Sequence, residues 1–216
     1  MAKIISRTQS SSERASWQIL LNASGDERLA LWGEVFSRLQ PRLEVFVHFR
    51  MSPSLRRRWP VEDVIQYTYL TAWRRIDTFH DGRNDGLYRW LVSIAYRLLG
   101  SIKRNEFVRR TEKRSSELKG AESSTAGGVS RFALAQSAER VSRMVMRHEE
   151  TNRALQALES LSDGDREAIL QRVFEGLPFK EMGQRFGVSE SAARKRYQRA
   201  LERLRSSHGF VEELFQ

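Results

Sequence analysis

Hydrophobic residues recur three or four positions apart along most of this chain, a spacing that predicts α-helices and no β-strands. The first clear run contains Leu29, Trp32, Val35, Phe36 and Leu39, followed by Leu43, Phe46 and Val47. Pro41 lacks a backbone donor, so it is expected to kink this run or to start a second helix. Further helices are predicted from about Val61 to Asp77 and from Leu87 onward.

The helical pattern is interrupted in several places, and these divide the chain. Residues 51–60 are expected to be a break, and residues 79–86 a loop rich in turn-forming residues. Residues 111–136 are rich in Lys, Glu, Ser and Gly, so they are expected to form a flexible linker. The sequence therefore predicts an all-α fold of two small helical domains, preceded by a mobile arm and followed by a tail. The boundaries are 1–24 (arm), 25–110 (first domain), 111–136 (linker), 137–207 (second domain) and 208–216 (tail). Docking of Leu20 and its apolar neighbours as a short helix in the arm is left open.

The second domain contains the signals of a helix-turn-helix. Ser162 precedes several acids, as an N-cap residue should, and Gly176 suits the left-handed position that ends a helix. Pro178 is well placed to start a short helix. Gly187 and Ser189 then predict a glycine stop and the N-cap of a third helix, from Glu190 to about Arg205.

This third helix has two unlike faces. Ala193, Tyr197, Ala200, Leu201 and Leu204 are expected to pack inward, and Lys195, Arg196, Arg199 and Arg203 to lie largely opposite, with Arg194 at the edge. Small residues occupy its first turn, so this end can enter a DNA major groove. Arginine can form two hydrogen bonds to guanine there, worth roughly 1–3 kcal/mol of discrimination. The alternative is a solvated amphipathic helix that closes a bundle.

Composition supports a polyanionic partner. The formal net charge is +10, with a pI near 10.5. The chain has no cysteine, which excludes disulfides and thiol catalysis, and its four histidines lack ligand spacing. No catalytic residues, metal site or cofactor are predicted. No run of transmembrane length and no signal-peptide segment is evident, so no membrane insertion and a cytoplasmic location are expected.

Three motifs together resemble a sigma factor of bacterial RNA polymerase, of the two-domain extracytoplasmic-function (ECF) type. Glu62–Trp73 resembles region 2.2, which binds the clamp of the β′ subunit. Phe79–Ala95 resembles region 2.3 and its preceding loop, which hold a flipped base of the minus-ten element, and aromatic residues beside basic groups suit unstacked bases. Gly176–Gly183 with Val188–Arg196 resembles region 4.2, which binds the minus-thirty-five element. The resemblance covers roughly residues 26–110 and 145–206.

The resemblance implies a set of partners and site residues. The partners are core RNA polymerase (the β′ clamp and the β flap), promoter DNA and, for many members, an anti-sigma factor. The implied polymerase-binding residues are Asp63, Gln66, Tyr67 and Leu70. The implied minus-ten residues are Phe79, Asn84, Arg97, Ser101, Lys103 and Arg104. The implied minus-thirty-five residues are Lys180, Ser189, Ser191, Arg194, Lys195, Arg196 and Arg199.

The chain also departs from the family pattern. Tyr67 replaces a usual acid, Arg97 a frequent asparagine and Ser101 a usual aspartate. Gly183 replaces the usual alanine of the short helix, which costs roughly 1 kcal/mol of helix propensity but is expected to allow closer packing on the recognition helix.

Simpler explanations exist for several of these residues. Trp73 and Trp90 are expected in the core, Phe79 suits either the core or base stacking, and Asn84 can serve only to shape its turn. The alternative function is a stand-alone dimeric helix-turn-helix transcriptional regulator, which would bind a two-fold symmetric site without polymerase. A protein-binding adaptor would leave the basic helix face unexplained, and nothing in the sequence supports an enzyme.

Overall fold

The computed structural model describes residue 20 and residues 22–79, 86–116 and 138–206, with side chains described outside 107–116 and 138–148. Every regular element in these ranges is helical. The α-helices are α1 (Gly25–Arg50), α2 (Pro53–Arg58), α3 (Val61–Arg74), α4 (Gly86–Ser116), α5 (Ala138–Glu159), α6 (Asp163–Ile169), α7 (Phe179–Phe186) and α8 (Glu190–Ser206). A 3₁₀ turn spans Ile76–Thr78, and a π-helical turn at Leu170–Phe174 continues α6. Among the described helices, none has the length and apolarity needed to cross a membrane.

Helix α1 is continuous through Pro41, so the expectation that a second helix starts there is wrong. Proline removes one donor from the helix interior. Pro41 and the following Leu43 and Phe46 are buried. Burial of this apolar stripe stabilises the helix on both sides of the missing hydrogen bond.

The segment predicted as a break, residues 51–60, contains helix α2 instead. The Ser52 side chain caps it by accepting a hydrogen bond from the backbone N–H of Leu55 at 3.3 Å. Pro53 occupies the first turn, where a missing donor has no cost. The Arg56 guanidinium donates to the carbonyls of His48 and Met51, both at 2.8 Å, and so fastens α2 to the end of α1.

The first domain is built from α1 to α4, with α1 packed on both α3 and α4. Trp32, Phe46 and Leu91 are fully buried at its centre. Leu20 is also fully buried in this core, whereas its apolar neighbours Trp17, Ile19 and Leu21 lie outside the described residues. Helix α3 ends at Arg74, earlier than expected, and α4 continues to Ser116, six residues into the segment expected to be linker.

The two domains are in direct contact. The sequence predicts two domains joined by a flexible linker, of which residues 117–137 lie outside the described ranges. Helix α1 packs against α5 and the π-helical turn of the second domain. One contiguous apolar cluster therefore joins first-domain residues such as Phe46 and Leu91 to Leu158, Phe174 and Leu204.

Candidate nucleic-acid and polymerase interfaces

The helix-turn-helix has the end signals that the sequence predicted. Gly176 and Gly187 have positive φ angles of 68° and 65°, the left-handed conformation that glycine adopts without steric cost. The Ser162 hydroxyl accepts a hydrogen bond from the N–H of Asp165 at 3.3 Å, and the Ser189 hydroxyl accepts one from Ala192 at 3.2 Å. Gly187 and Ser189 lie between α7 and α8, so they fix where α7 ends and where α8 begins.

Helix α7 approaches the start of α8 very closely. Met182 and Ala193 are fully buried between the two helices. Gly183 is also buried, and a Cβ added to it would lie 3.2 Å from the backbone nitrogen of Glu190. The expected role of this glycine in close packing is therefore confirmed.

Helix α8 presents one side away from the protein. At about 3.6 residues per turn, Ser191, Lys195, Gln198 and Glu202 lie opposite the buried Ala193, Ala200 and Leu204. All four outward residues are exposed, and Arg199 is exposed beside them. We call Ser191, Lys195, Gln198, Arg199 and Glu202 the outward face. Sequence reasoning missed Gln198, although the helical period alone places it between Lys195 and Glu202.

Two basic residues expected on that side have other contacts. The Arg196 guanidinium lies 4.9 Å from the ring centroid of Phe186, and the side chain is partly buried. Arg203 pairs with the carboxylate of Asp165 at the start of α6. The expectation that Arg196 and Arg203 lie opposite the packed face is wrong, because the helical period places both within a quarter turn of the buried Ala200.

Arg194 lies at the edge of the helix, as expected. Its guanidinium is 4.7 Å from the ring centroid of Phe179 and 3.5 Å from a carboxylate oxygen of Glu190. The side chain remains exposed, as are those of Lys180 and Ser189 nearby. These three residues border the outward face at its N-terminal end.

Four of the implied minus-ten residues lie in the middle of α4, and Phe79 precedes that helix. Arg97, Lys103 and Arg104 are exposed, and Ser101 is partly buried. Phe79 is buried, with its ring centroid 5.3 Å from that of Trp90. Phe79 thus belongs to the core in this arrangement, while Asn84 lies outside the described residues. Trp73 and Trp90 pack against the core, as expected.

Helix α3 has an exposed side that includes Gln66, Tyr67 and Leu70, which we call the α3 strip. The opposite, buried side of the helix consists of Val64, Ile65, Thr68 and Ala72. Gln66, Tyr67 and Leu70 are exposed and Asp63 is partly exposed, so the implied polymerase-binding residues share one accessible side. Tyr67 and Leu70 expose 42% and 39% of their surface.

Tyr197 of α8 is partly buried against α7. Burial raises the pKa of the Tyr197 phenol, and this effect outweighs the opposing charges of Arg172 and Arg205. Tyr197 is therefore neutral at physiological pH and packs 5.7 Å from the Phe179 ring, centroid to centroid. Within the described ranges, no group of acids and histidines is arranged to hold a metal ion.

Comparisons with known proteins identify both domains. Residues 35–107 match the model of "Sigma-70 region 2", and residues 151–204 match that of "Sigma-70, region 4". No curated protein matches the chain. Among solved structures, CnrH in complex with the cytosolic domain of CnrY is similar, at 19% identity and a TM-score of 0.40, covering 90% of this chain and 95% of that one. The sigma factor RpoE of Bartonella quintana, in complex with the anti-sigma factor NepR, is similar at 25% identity and a TM-score of 0.33, covering 80% and 92%.

The two sequence models carry the assignment. Together they match more than half of the chain, in the order and on the domains where the two candidate interfaces lie. The chain belongs to the sigma-70 family, the sigma factors that bind RNA polymerase and direct the initiation of transcription at promoter DNA.

Proposed function

We propose that this protein is a sigma factor of the ECF type, in which region 2 and region 4 divide the work of promoter recognition. Region 2 binds the β′ clamp through the α3 strip and holds the opened minus-ten strand along α4. Region 4 binds the minus-thirty-five duplex through α8 and contacts the β flap. A segment of 43 residues, 108–150, separates the two matched regions.

The outward face of α8 carries the proposal for the minus-thirty-five element. Lys195 and Arg199 are exposed there, and no described carboxylate forms an ion pair with either. Two free cations beside an exposed amide, Gln198, suit a helix that enters the major groove, because cations bind phosphates and guanine while glutamine binds adenine. The small Ser191 leaves the first turn open to the base edges.

The α3 strip supports the proposed contact with polymerase. Tyr67 and Leu70 supply exposed apolar surface, and Gln66 supplies a polar group at its border. Protein interfaces commonly combine an apolar centre with a polar rim. Tyr67 takes the place of a usual acid, so this contact depends more on burial of its ring than on charge.

The protein itself performs no chemistry under this proposal, since core polymerase synthesises the RNA. Binding energy drives promoter opening, and the protein acts in the bacterial cytoplasm, where core polymerase and DNA meet. The family resemblance adds an anti-sigma factor as a proposed partner.

Binding to purified bacterial core polymerase tests the α3 strip. We expect the wild-type chain to co-elute with core enzyme, and Tyr67→Ala/Leu70→Ser to reduce its affinity at least about tenfold, as for loss of an interface hot spot. The matched control is Leu29→Ser, since Leu29 is a leucine on α1 that is at least as exposed as Leu70. Equal losses in both variants, or no binding by wild type, would contradict the proposal.

The alternative, a stand-alone regulator, predicts a different result in two measurements. It requires a dimer in solution and tight, specific binding to a duplex without polymerase. We expect a monomer in light scattering and only weak, salt-sensitive gel shifts on duplex DNA. A dimer that binds a palindromic site at nanomolar concentration would favour the regulator.

A further inference from the structure

Three consecutive arginines form the second half of α2, the short helix between α1 and α3. The proposed function uses none of them. Arg56 donates hydrogen bonds to two carbonyls at the end of α1, so its role is to hold α2 in place. Arg57 and Arg58 are exposed, and their charges call for a different explanation.

Arg58 forms an ion pair with Glu106 of α4 in which the positive partner lies at the surface. The Glu106 side chain is only 10% exposed, whereas that of Arg58 is 47% exposed. Of the five N–H donors of a guanidinium, those on Nη1 alone have an acceptor within the described part of the chain. The buried carboxylate therefore orients Arg58, and the remaining donors are available to a ligand.

Arg57 lies on the side of α2 that faces away from the core. It is two positions after the buried Leu55, which places the two residues nearly opposite each other on the helix. Among the described residues no carboxylate forms an ion pair with Arg57, and this includes the exposed Glu62 at the start of α3. The Ser52 cap and the burial of Leu55 fix the helix, so Arg57 presents its charge from a rigid support.

The α2 arginines adjoin the basic side of α4. Lys103 is exposed and precedes Glu106 by three residues, a spacing at which the two Cβ atoms are about 5–6 Å apart. Around the axis of α4, Lys103 lies between Glu106 and Arg104. We call Arg57, Arg58 and Lys103 the α2–α4 patch. It combines three exposed cations with one covered acid, and it continues the proposed minus-ten surface from α4 onto α2.

We propose that the α2–α4 patch binds the phosphate backbone of promoter DNA beside the minus-ten element, whatever the base sequence there. Exposed cations bind DNA phosphates by releasing condensed counterions, and such contacts fix the position of a protein on DNA without reading bases. The continuity with Lys103 and the absence of a described acid beside Arg57 favour DNA as the partner. This inference rests on the proposed function, because it requires α4 to lie on promoter DNA.

The salt dependence of promoter binding tests Arg57. The assay uses holoenzyme made from the full chain and purified core polymerase, with a promoter fragment selected from genomic DNA. Loss of one phosphate contact lowers the slope of log affinity against log salt by about 0.7 for a single strand and about 0.9 for a duplex. We expect this fall in Arg57→Gln, which corresponds to about five- to eightfold weaker binding at about 0.1 M salt. The matched control is Arg38→Gln, an exposed arginine of α1 that should leave the slope unchanged.

Arg58 requires a paired substitution. Arg58→Gln alone would leave the Glu106 carboxylate buried without its partner, which destabilises the fold. Arg58→Gln/Glu106→Gln removes both charges and leaves the net charge of the chain unchanged. We expect the slope to fall as it does in Arg57→Gln, because the effect comes from a local contact and not from overall charge. Circular dichroism checks the helix content, and Arg57→Gln decides the matter if the paired variant does not fold.

Photo-cross-linking identifies what lies against the patch. Benzoylphenylalanine in place of Arg57 should cross-link to promoter DNA in the holoenzyme, and the same residue in place of Arg38 should not. Wild-type holoenzyme that binds the promoter, with Arg57→Gln equal to Arg38→Gln in salt slope, would overturn the patch alone. Cross-linking of position 57 to a polymerase subunit in place of DNA would also overturn it. A wild-type chain that binds neither core polymerase nor promoter would overturn the proposed function itself.

Discussion

Gly183 of α7 and Val188 of the following turn are in such close contact that a Cβ on Gly183 would lie 2.8 Å from the carbonyl oxygen of Val188. Real Cβ atoms essentially never come this close to another heavy atom. The obstacle is backbone, which cannot move aside without disturbing the N-terminus of α8. The glycine that departs from the family's usual alanine is therefore required by this turn.

Gly183→Ala is expected to destabilise region 4. Alanine improves helix propensity by roughly 1 kcal/mol, but overpacking against a backbone oxygen costs typically 1–3 kcal/mol. The net effect should be a loss of up to about 2 kcal/mol, measured by urea unfolding. The matched control is Gly33→Ala in α1, where nothing lies within 4 Å of the added atom. That change should stabilise by about 0.5–1 kcal/mol, and a gain in both variants would contradict the packing argument.

Ser189→Ala removes the hydroxyl that accepts a hydrogen bond from the Ala192 N–H. Loss of an N-cap typically costs about 1 kcal/mol, so unfolding should occur at lower urea concentration. Ser189→Asp keeps an acceptor and adds a charge that the helix N-terminus favours, so it should retain stability. Its negative charge should nevertheless weaken binding to minus-thirty-five DNA, which separates the structural role of this residue from its proposed place in the interface.

Gln198 and Arg199 are expected to have different roles on DNA. Gln198→Ala should reduce discrimination at one base pair by about 1–3 kcal/mol, because a bidentate contact to adenine is lost. Arg199→Ala should weaken binding to all sequences alike and lower the slope of log affinity against log salt by about one. Holoenzyme binding to promoter fragments randomised at the minus-thirty-five element, at several salt concentrations, measures both effects. If Gln198→Ala and Arg199→Ala changed base discrimination and salt dependence alike, the proposed difference between the two roles would be contradicted.

Acid should lower the stability of the folded protein through His48, whose Nε2 lies 3.7 Å from a carboxylate oxygen of Glu159 on α5. Burial, and then the charge of Arg56, lower the His48 pKa below 6.5 despite the opposing effect of Glu159. The folded protein thus favours neutral His48. The contribution of His48 to the free energy of unfolding is complete above pH 6.5 and is lost as pH falls through the lowered pKa. Stability should therefore fall as pH drops below 6.5, and fall less in His48→Gln. An equal fall in both proteins would exclude His48 as the cause.

Sequence alone predicted those features that depend on neighbouring residues. Ser162, Gly176, Gly187 and Ser189 were identified because caps and left-handed turns depend on a few consecutive side chains. Helix α2 is harder to predict, because a proline can signal either a break or the first turn of a helix; Ser52 before Pro53 is the capping signal that favours the helix.

Features that depend on residues far apart in the chain were not predictable. Arg50 and Glu167 are 117 positions apart, and no local pattern pairs them. The helical period places Arg203 beside the packed face, but only the fold reveals that Asp165 is its partner. The family resemblance, and not a local pattern, indicates the site residues. Gln198 has no charge, so a search for basic residues passes over it, whereas its position on the helix places it on the outward face.

Run-off transcription with purified bacterial core polymerase tests the central claim most directly. Promoter fragments selected from genomic DNA serve as templates, and the wild-type chain should direct a transcript of defined start site that core enzyme alone does not produce. A Lys195→Ala/Arg199→Ala variant should lose most of this transcript while still binding core. A wild-type chain that binds core polymerase but yields no promoter-directed transcript would contradict the account.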